Sequence, residues 1–468
     1  MSEENEQLTY KVPSVPNILS YGSAGFWNMF ATTIFGQYVF YFYEAVLGLN
    51  TMLVFLAMLI FTLWDAVNDP LMGHLTDRLT KYTKKIGKRF PWIVMGIVPA
   101  NFVFVLLFMP PVTNAAAEPI PIFLWIIFTT CLFDTLTTMC FVNVTALFPD
   151  KFRTPSARRK ASGWSTPLSM LALPAATIIP PFLISLKGDP ASYGRMAIVS
   201  MFILLMVTVL LLPGMFESKE LRNRYYLSKE KPESFISALK STLKQRSFVI
   251  YIILAFGFNV TTGCLTGSIP YAVSYVLKGS EFDIILLFAS FLNGAIVSVP
   301  IWVMIAKRMR NNKKMAVIGG FLLTIGTFLT AFYVGVIDSM VYMVILGFTM
   351  GNFWALMSVY FSDVLDERIV LTRSDVRGAT VGVQNFFGRL SRGAQIAIFA
   401  ITHELTGFVE GSTTQTPLAE LGIRFHMSII PAIILLICTI IYWKKFPLTN
   451  EKIGEIKKQM QELGFLSV

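Results

Sequence analysis

The chain reads as an all-α membrane protein with twelve transmembrane helices in two six-helix bundles, and three observations predict this. Of 468 residues, 54% are hydrophobic and 14% aromatic while only 14% are charged, a balance unsuited to a soluble chain of this length. Apolar runs recur along the sequence, each near the roughly 20 residues that cross about 30 Å of hydrocarbon. In lipid such runs must satisfy their backbone groups internally, as helices. The longest polar insertion, 217–246, falls midway and leaves six runs on each side.

In order, the first bundle (1–216) has spans at 20–47, 51–77, 91–110, 120–148, 163–185 and 195–216. The second (247–445) has spans at 247–277, 282–306, 315–336, 340–362, 379–404 and 423–443. Loop charge orients them, because Lys and Arg concentrate in loops that stay in the cytoplasm. Lys81, Lys84, Lys85, Lys88 and Arg89 follow span 2; Lys151, Arg153, Arg158, Arg159 and Lys160 follow span 4; Lys307, Arg308, Arg310, Lys313 and Lys314 follow span 8. The alternate loops are nearly bare, with Lys187 alone after span 5. Both termini and the central loop 217–246 are therefore expected in the cytoplasm, and the plasma membrane is the simplest location. The start, MSEENEQLTYK, is acidic and lacks the basic region of a signal peptide. The tail 446–468 is expected to hold a cytoplasmic amphipathic helix, with Ile453, Ile456, Met460 and Leu463 at helical intervals after a capping residue.

Several chemistries have no visible machinery. Cys131, Cys140, Cys264 and Cys438 fall in predicted spans without CxxC spacing, and only His74, His403 and His426 are present. No HExxH, GxSxG or Walker-type glycine loop occurs, so no enzyme, ATP-driven pump or resident cofactor is expected. The net charge of +11 is spread over loops, giving no nucleic-acid partner; the bilayer and a small-molecule solute are the partners, with a monomer as the working unit.

The stretch FTLWDAVNDPLMG (61–73) concentrates the unusual chemistry. An unpaired acid at the centre of a spanning helix costs roughly 2.5–3.5 kcal/mol on insertion scales. Asp65 and Asp69 share one helix face about 6 Å apart along the axis, beside Asn68. Two carboxylates and an amide oxygen suit a small hard cation or protons; pairing with a basic residue from another span is the alternative. Asp134 sits one turn from Thr138 in span 4, either in a cavity or paired with Arg389 or Arg392 of span 11. Those arginines either neutralise acids or bind an anionic solute bidentately. Asn28, Gln37, Asn143, Asn259, Asn293, Asn352 and Gln384 are weaker polar candidates, since interhelical hydrogen bonds are the commoner use of such groups. Trp354 and the Phe residues fit packing or lipid contact.

The six-plus-six layout resembles that of major facilitator transporters, whose sites lie near the midplane between halves. WDAVNDPLMGHLTDR followed by GKRFPWIVMG resembles the second-span signature of the glycoside-pentoside-hexuronide:cation symporters. SYG (20–22), YEAVLGL, ALFPDKFRTPSARR and VGVQNFFGRL extend the resemblance over most of the chain, more loosely in the second half. Gly73 to Arg78 also fits the facilitator GxxxDR loop motif. The resemblance implies a sodium site at Asp65, Asn68, Asp69 and Thr138. It places Met29, Phe141, Thr145 and roughly Thr166 where galactoside transporters grip sugar hydroxyls, and none of these keeps that chemistry. Gln384 matches the family stretch in span 11, and Arg389 aligns with a family lysine. The function implied is symport of a glycoside, uronide or related organic solute, coupled to Na+ or H+, by alternating access. The alternative is symport of an amphiphile such as a lysolipid on the same motor, favoured by Met29 and Phe141. A channel or scaffold is the reading from a different class.

Overall fold

The computed structural model describes residues 13–76, 83–115, 117–186, 188–224, 235–373 and 376–463, and no strand occurs among them. Twelve long helical segments match the twelve expected spans: α1 (15–46), α2 (Thr51–Thr76), α3 (Phe90–Leu106), α4 (Pro119–Lys151), α5 (155–178), α6 (Pro190–Met215), α7 (Arg246–Val276), α8 (Glu281–Met309), α9 (Asn312–Phe332), α10 (Val336–Thr372), α11 (Arg377–Thr406) and α12 (Pro417–Lys445). Eight of them, α2, α4, α6 to α10 and α12, are each long and apolar enough to cross a membrane. Of the remaining four, α3 is apolar but only 17 residues long, and α11 carries Arg377, Arg389 and Arg392 along its length.

Local chemistry fixes the ends. Proline stands in the first turn of α3, α4, α5, α6 and α12, where its missing N–H costs nothing. Ser280 and Asp283 form a capping box at the head of α8. Two expected boundaries move for the same kind of reason. Thr154 accepts a hydrogen bond from the Ala157 N–H and Pro155 follows it, so α5 starts at 155 rather than 163. Arg158, Arg159 and Lys160, expected in a loop, lie exposed on its first turns. Helix α10, expected to stop at 362, continues to Thr372 because its charged residues find partners. Asp363 accepts from Asn312 at 2.7 Å, Glu367 from Gln245 at 2.9 Å, and Arg368 donates to Ser241 Oγ at 2.6 Å.

Helix α1 packs on α5 and α6, and α4 packs on α2 and α3. In the second half α8 packs on α10, α9 on α10 and α12, and α7 on α11 and α12. Glycine permits the closest of these approaches: a Cβ on Gly347 would run into the Phe291 carbonyl, and one on Gly294 into the Val344 carbonyl, sealing α8 against α10. The halves meet through α2 with α11, α1 with α7, and α5 with α8. Short helices Lys219–Arg224 and Phe235–Thr242 occupy the connection between α6 and α7.

A thirteenth helix, α13 (Asn450–Glu462), forms where the tail periodicity predicts it. Thr449 caps it by accepting from the Lys452 N–H, Ile456 and Met460 are buried, and it packs on α10. Asp77 and Arg78 of the Gly73–Arg78 motif, together with Lys81 and Lys187, lie outside the described residues.

Candidate functional site

A cavity of about 830 Å³ lies between the two halves. One wall is apolar and aromatic: Phe35, Phe40 and Met58, with Phe61, Phe133 and Phe141. Phe35 bridges Phe61 and Phe133, with ring centroids 5.2 and 6.0 Å away. The other wall is polar, with Asn385, Arg389, Arg392 and Gln395 from α11 facing Asp65 and Asp69 of α2 and Asp134, Thr137, Thr138 and Thr145 of α4.

The α2 acids are engaged across the bundle interface. Arg389 Nη1 lies 2.9 Å from Asp65 Oδ1 and also donates to the Asp65 carbonyl at 2.5 Å, while Nη2 pairs with Asp69. Arg392 Nη1 stands 3.5 Å from Asp65 Oδ2, its side chain half exposed to the cavity. One guanidinium thus forks between two carboxylates one helical turn apart, the planar geometry arginine supplies and lysine does not. Asp134 is in the cavity wall and, rather than pairing with an arginine, accepts from Asn68 Nδ2 at 2.8 Å. Asn68 is fully buried, and its Oδ1 has no hydrogen-bond partner among the described residues. A buried amide oxygen without a donor, on the helix that carries both acids, is a free acceptor.

The cavity gathers Asp65, Asp69, Asp134, Thr138, Phe141, Thr145, Arg389 and Arg392, with Asn68 immediately behind them. Gln384 is placed elsewhere: its Nε2 donates to Tyr251 at 3.1 Å in the α7–α11 contact. Neither Met29 nor Thr166 borders the cavity; Asn28 and Thr32 do on α1. Asn385, Gln395 and Thr137 are additional wall residues. The first two were discoverable, since Asn385, Arg389, Arg392 and Gln395 recur every three or four residues and make one polar stripe on α11.

Beyond Phe40, the cavity stops where this ring meets Phe399 edge-on at 5.7 Å. Behind that pair, Glu44 of α1 binds α7 and α11 at once: it accepts from Tyr271 at 2.5 Å and lies 2.9 Å from His403 Nδ1. The cavity extends the other way, toward Ala146 near the end of α4 and Gly378 in the first turn of α11. The four cysteines are free thiols.

A mid-depth cavity between two helical bundles, walled by opposed charges and sealed at one end, defines a membrane transporter that binds a small solute within the bilayer. The chain belongs to the MFS/sugar transport protein family, which it matches over residues 20–450. It is a solute symporter by family and not an enzyme, as the WDAVNDPLMG resemblance implies. It is 24% identical over 446 residues to sodium-dependent lysophosphatidylcholine symporter 1 of Gallus gallus, covering 86% of this chain and 80% of the relative. It is 24% identical over 478 residues to the glucuronide carrier protein homolog of Escherichia coli (strain K12), covering 98% of each. A solved D-xylose-proton symporter superposes with a TM-score of 0.60 over 92% of this chain and 98% of that one at 13% identity, which bears on the fold alone.

Proposed function

We propose that Asp65, Asn68, Asp69 and Thr138 bind the coupling cation, Na+ or H+, and that this cation drives symport of an anionic organic solute held against Arg389 and Arg392. The observation supporting it is the Arg389 fork across Asp65 and Asp69. In this conformation the guanidinium supplies the positive charge the acid pair needs. A cation arriving at the pair, with the free Asn68 Oδ1 as a further ligand, competes with Arg389 and turns the arginine toward the solute. Cation and solute then tighten each other's binding, and that coupling is reciprocal. The bundles 1–216 and 247–445 rock about the cavity, with 217–246, the tail and both termini in the cytoplasm of a plasma-membrane protein. The cavity end near Gly378 then faces inward. One chain encloses the whole cavity, so a monomer suffices.

A solute with an acidic group and a sugar ring, such as a uronide, uses the arginines and the α4 hydroxyls. The aromatic wall of Phe35, Phe61, Phe133 and Phe141 favours a second reading, a lysolipid whose headgroup phosphate meets the arginines. Proteoliposome uptake distinguishes these. A sodium or proton gradient is expected to drive accumulation of one class among uronic acids, neutral glycosides and lysophospholipids, and Asp69→Asn to remove the gradient dependence. Undiminished gradient dependence in Asp69→Asn would refute the site.

A further inference from the structure

Away from the cavity, the sealed end holds a chain of titratable groups that the cation–solute scheme does not use. Glu44, His403, His426 and Ser268 are each 0% exposed. Glu44 stands in a π-helical turn at the end of α1, and His426 in another within α12; such turns are rare and are frequent at functional sites. Glu44 Oε1 accepts from Thr51 Oγ1 at 2.6 Å and lies 2.9 Å from His403 Nδ1. His403 Nε2 is 3.1 Å from His426 Nε2, and His426 Nδ1 is 2.7 Å from Ser268 Oγ, which also bonds the Cys264 carbonyl at 2.5 Å.

Counting hydrogens along this chain gives two states. With the Ser268 hydrogen on the Cys264 carbonyl, His426 Nδ1 must donate to Ser268. The contact between the two rings and the bond between His403 and Glu44 then require one proton more than two neutral rings and a carboxylate hold. On the imidazoles it balances the Glu44 carboxylate, and on Glu44 it neutralises it. With the Ser268 hydrogen turned onto His426 Nδ1, both rings are neutral, one proton has left, and Glu44 is a buried charge without a counter-ion. Among the described residues the ion pairs of Glu44 are confined to His403. The other titratable groups about it are Tyr41 on its own helix, Tyr271 and Tyr275 of α7, and Glu410, reached through Thr51 at 3.1 Å; Glu281 of α8 acts on Tyr41. The acids here add to the demand for a positive charge.

We propose that Glu44, His403 and His426 form a proton-binding site separate from the Asp65–Asp69 pair, and that the bound proton latches the two bundles together at this end. Glu44 comes from the first half and both histidines from the second, so separating the bundles breaks the Glu44–His403 and Glu44–Tyr271 bonds and exposes the carboxylate to water. The closed end therefore binds the proton more tightly than the open one. Linkage then makes proton loss favour opening, because an uncompensated buried charge is costly. What the cavity carries does not enter.

The test uses Ile120→Cys and Val334→Cys, 56% and 83% exposed in the wild-type protein and on opposite bundles at this end, with Cys131→Ser to keep labelling specific. Electron–electron distance measurements on the spin-labelled protein are made across about pH 5 to 8, where imidazole titrates. The short-distance population is expected to fall as pH rises. Glu44→Gln and His403→Gln are expected to flatten the profile, and His426→Asn, which leaves the Glu44–His403 pair, to shift its midpoint by about one pH unit. A distance distribution that ignores pH in the parent protein, or a parental profile surviving in both Glu44→Gln and His403→Gln, would overturn the proposal. If those two do not fold, an unshifted His426→Asn midpoint would do the same.

Discussion

At the scale of single residues, Arg389 ties the two halves together in the cavity wall. It contacts both α2 acids, and its side chain is only 16% exposed. Removing one partner of so buried a pair leaves uncompensated charge, which is more costly than never having had the pair. Arg389→Gln is therefore expected to leave Asp65 and Asp69 repelling each other and seeking a cation. Sodium affinity measured on the purified variant should rise by on the order of tenfold, the equivalent of about 1.4 kcal/mol, while gradient-driven uptake falls. Unchanged affinity would mean that the guanidinium and the cation do not compete. The acids were legible in sequence because an acid pair in a spanning helix demands an explanation. Arg389 and Arg392 were legible as possible partners, as the intramembrane cations of span 11, but the choice between pairing with the acids and holding the solute was not, since Arg389 is 324 residues away from Asp65 and the contact is set by how the two halves pack.

At the scale of helices, hydropathy located the spans but misjudged ends set by side-chain satisfaction. The last turns of α10 contain Asp363, Asp366, Glu367 and Arg368 and look like a loop, yet Asp363, Glu367 and Arg368 are buried against Asn312, Gln245 and Ser241. The early start of α5 had a readable signal in Thr154–Pro155, a capping residue before a proline. The α8–α10 contact depends on glycine where backbones touch. Gly347→Leu or Gly294→Leu places atoms against a carbonyl in a helix pair that cannot give way without separating. Overpacking of this kind costs about 1–3 kcal/mol. Both variants should lower the melting temperature of the detergent-purified protein by several degrees, whereas Gly454→Ala on the exposed face of α13, where a Cβ meets nothing, should leave it unchanged. Equal melting temperatures for all three would contradict the contact.

At the scale of the whole molecule, the two halves touch through α1–α7, α2–α11 and α5–α8, and the two charged clusters on this interface sit at different depths. Asp65, Asp69 and Arg389 lie in the cavity wall, while Glu44, His403 and Tyr271 close one end. That second cluster escaped a reading of the sequence because its members are spread over α1, α7 and α11, and each alone looks like an ordinary polar residue in a span. Asn50 and Glu410, from opposite halves, meet at 3.2 Å beside it. Joining Asn50→Cys to Glu410→Cys with a short bifunctional thiol reagent should stop uptake while leaving solute binding from the other end intact. Continued turnover after complete cross-linking would show that this end does not open.

In the proposed cycle a cation binds the α2 acid pair in competition with Arg389 and in cooperation with the solute. Calorimetric titration of sodium into purified protein tests it most directly, alone and with saturating uronic acid or lysophospholipid, in the parent chain and in Asp65→Asn. Sodium heat in the parent, tighter binding with one solute class, and loss of both in Asp65→Asn are expected; proton release on solute addition would assign the same site to H+. Sodium binding of parental affinity in Asp65→Asn would contradict it.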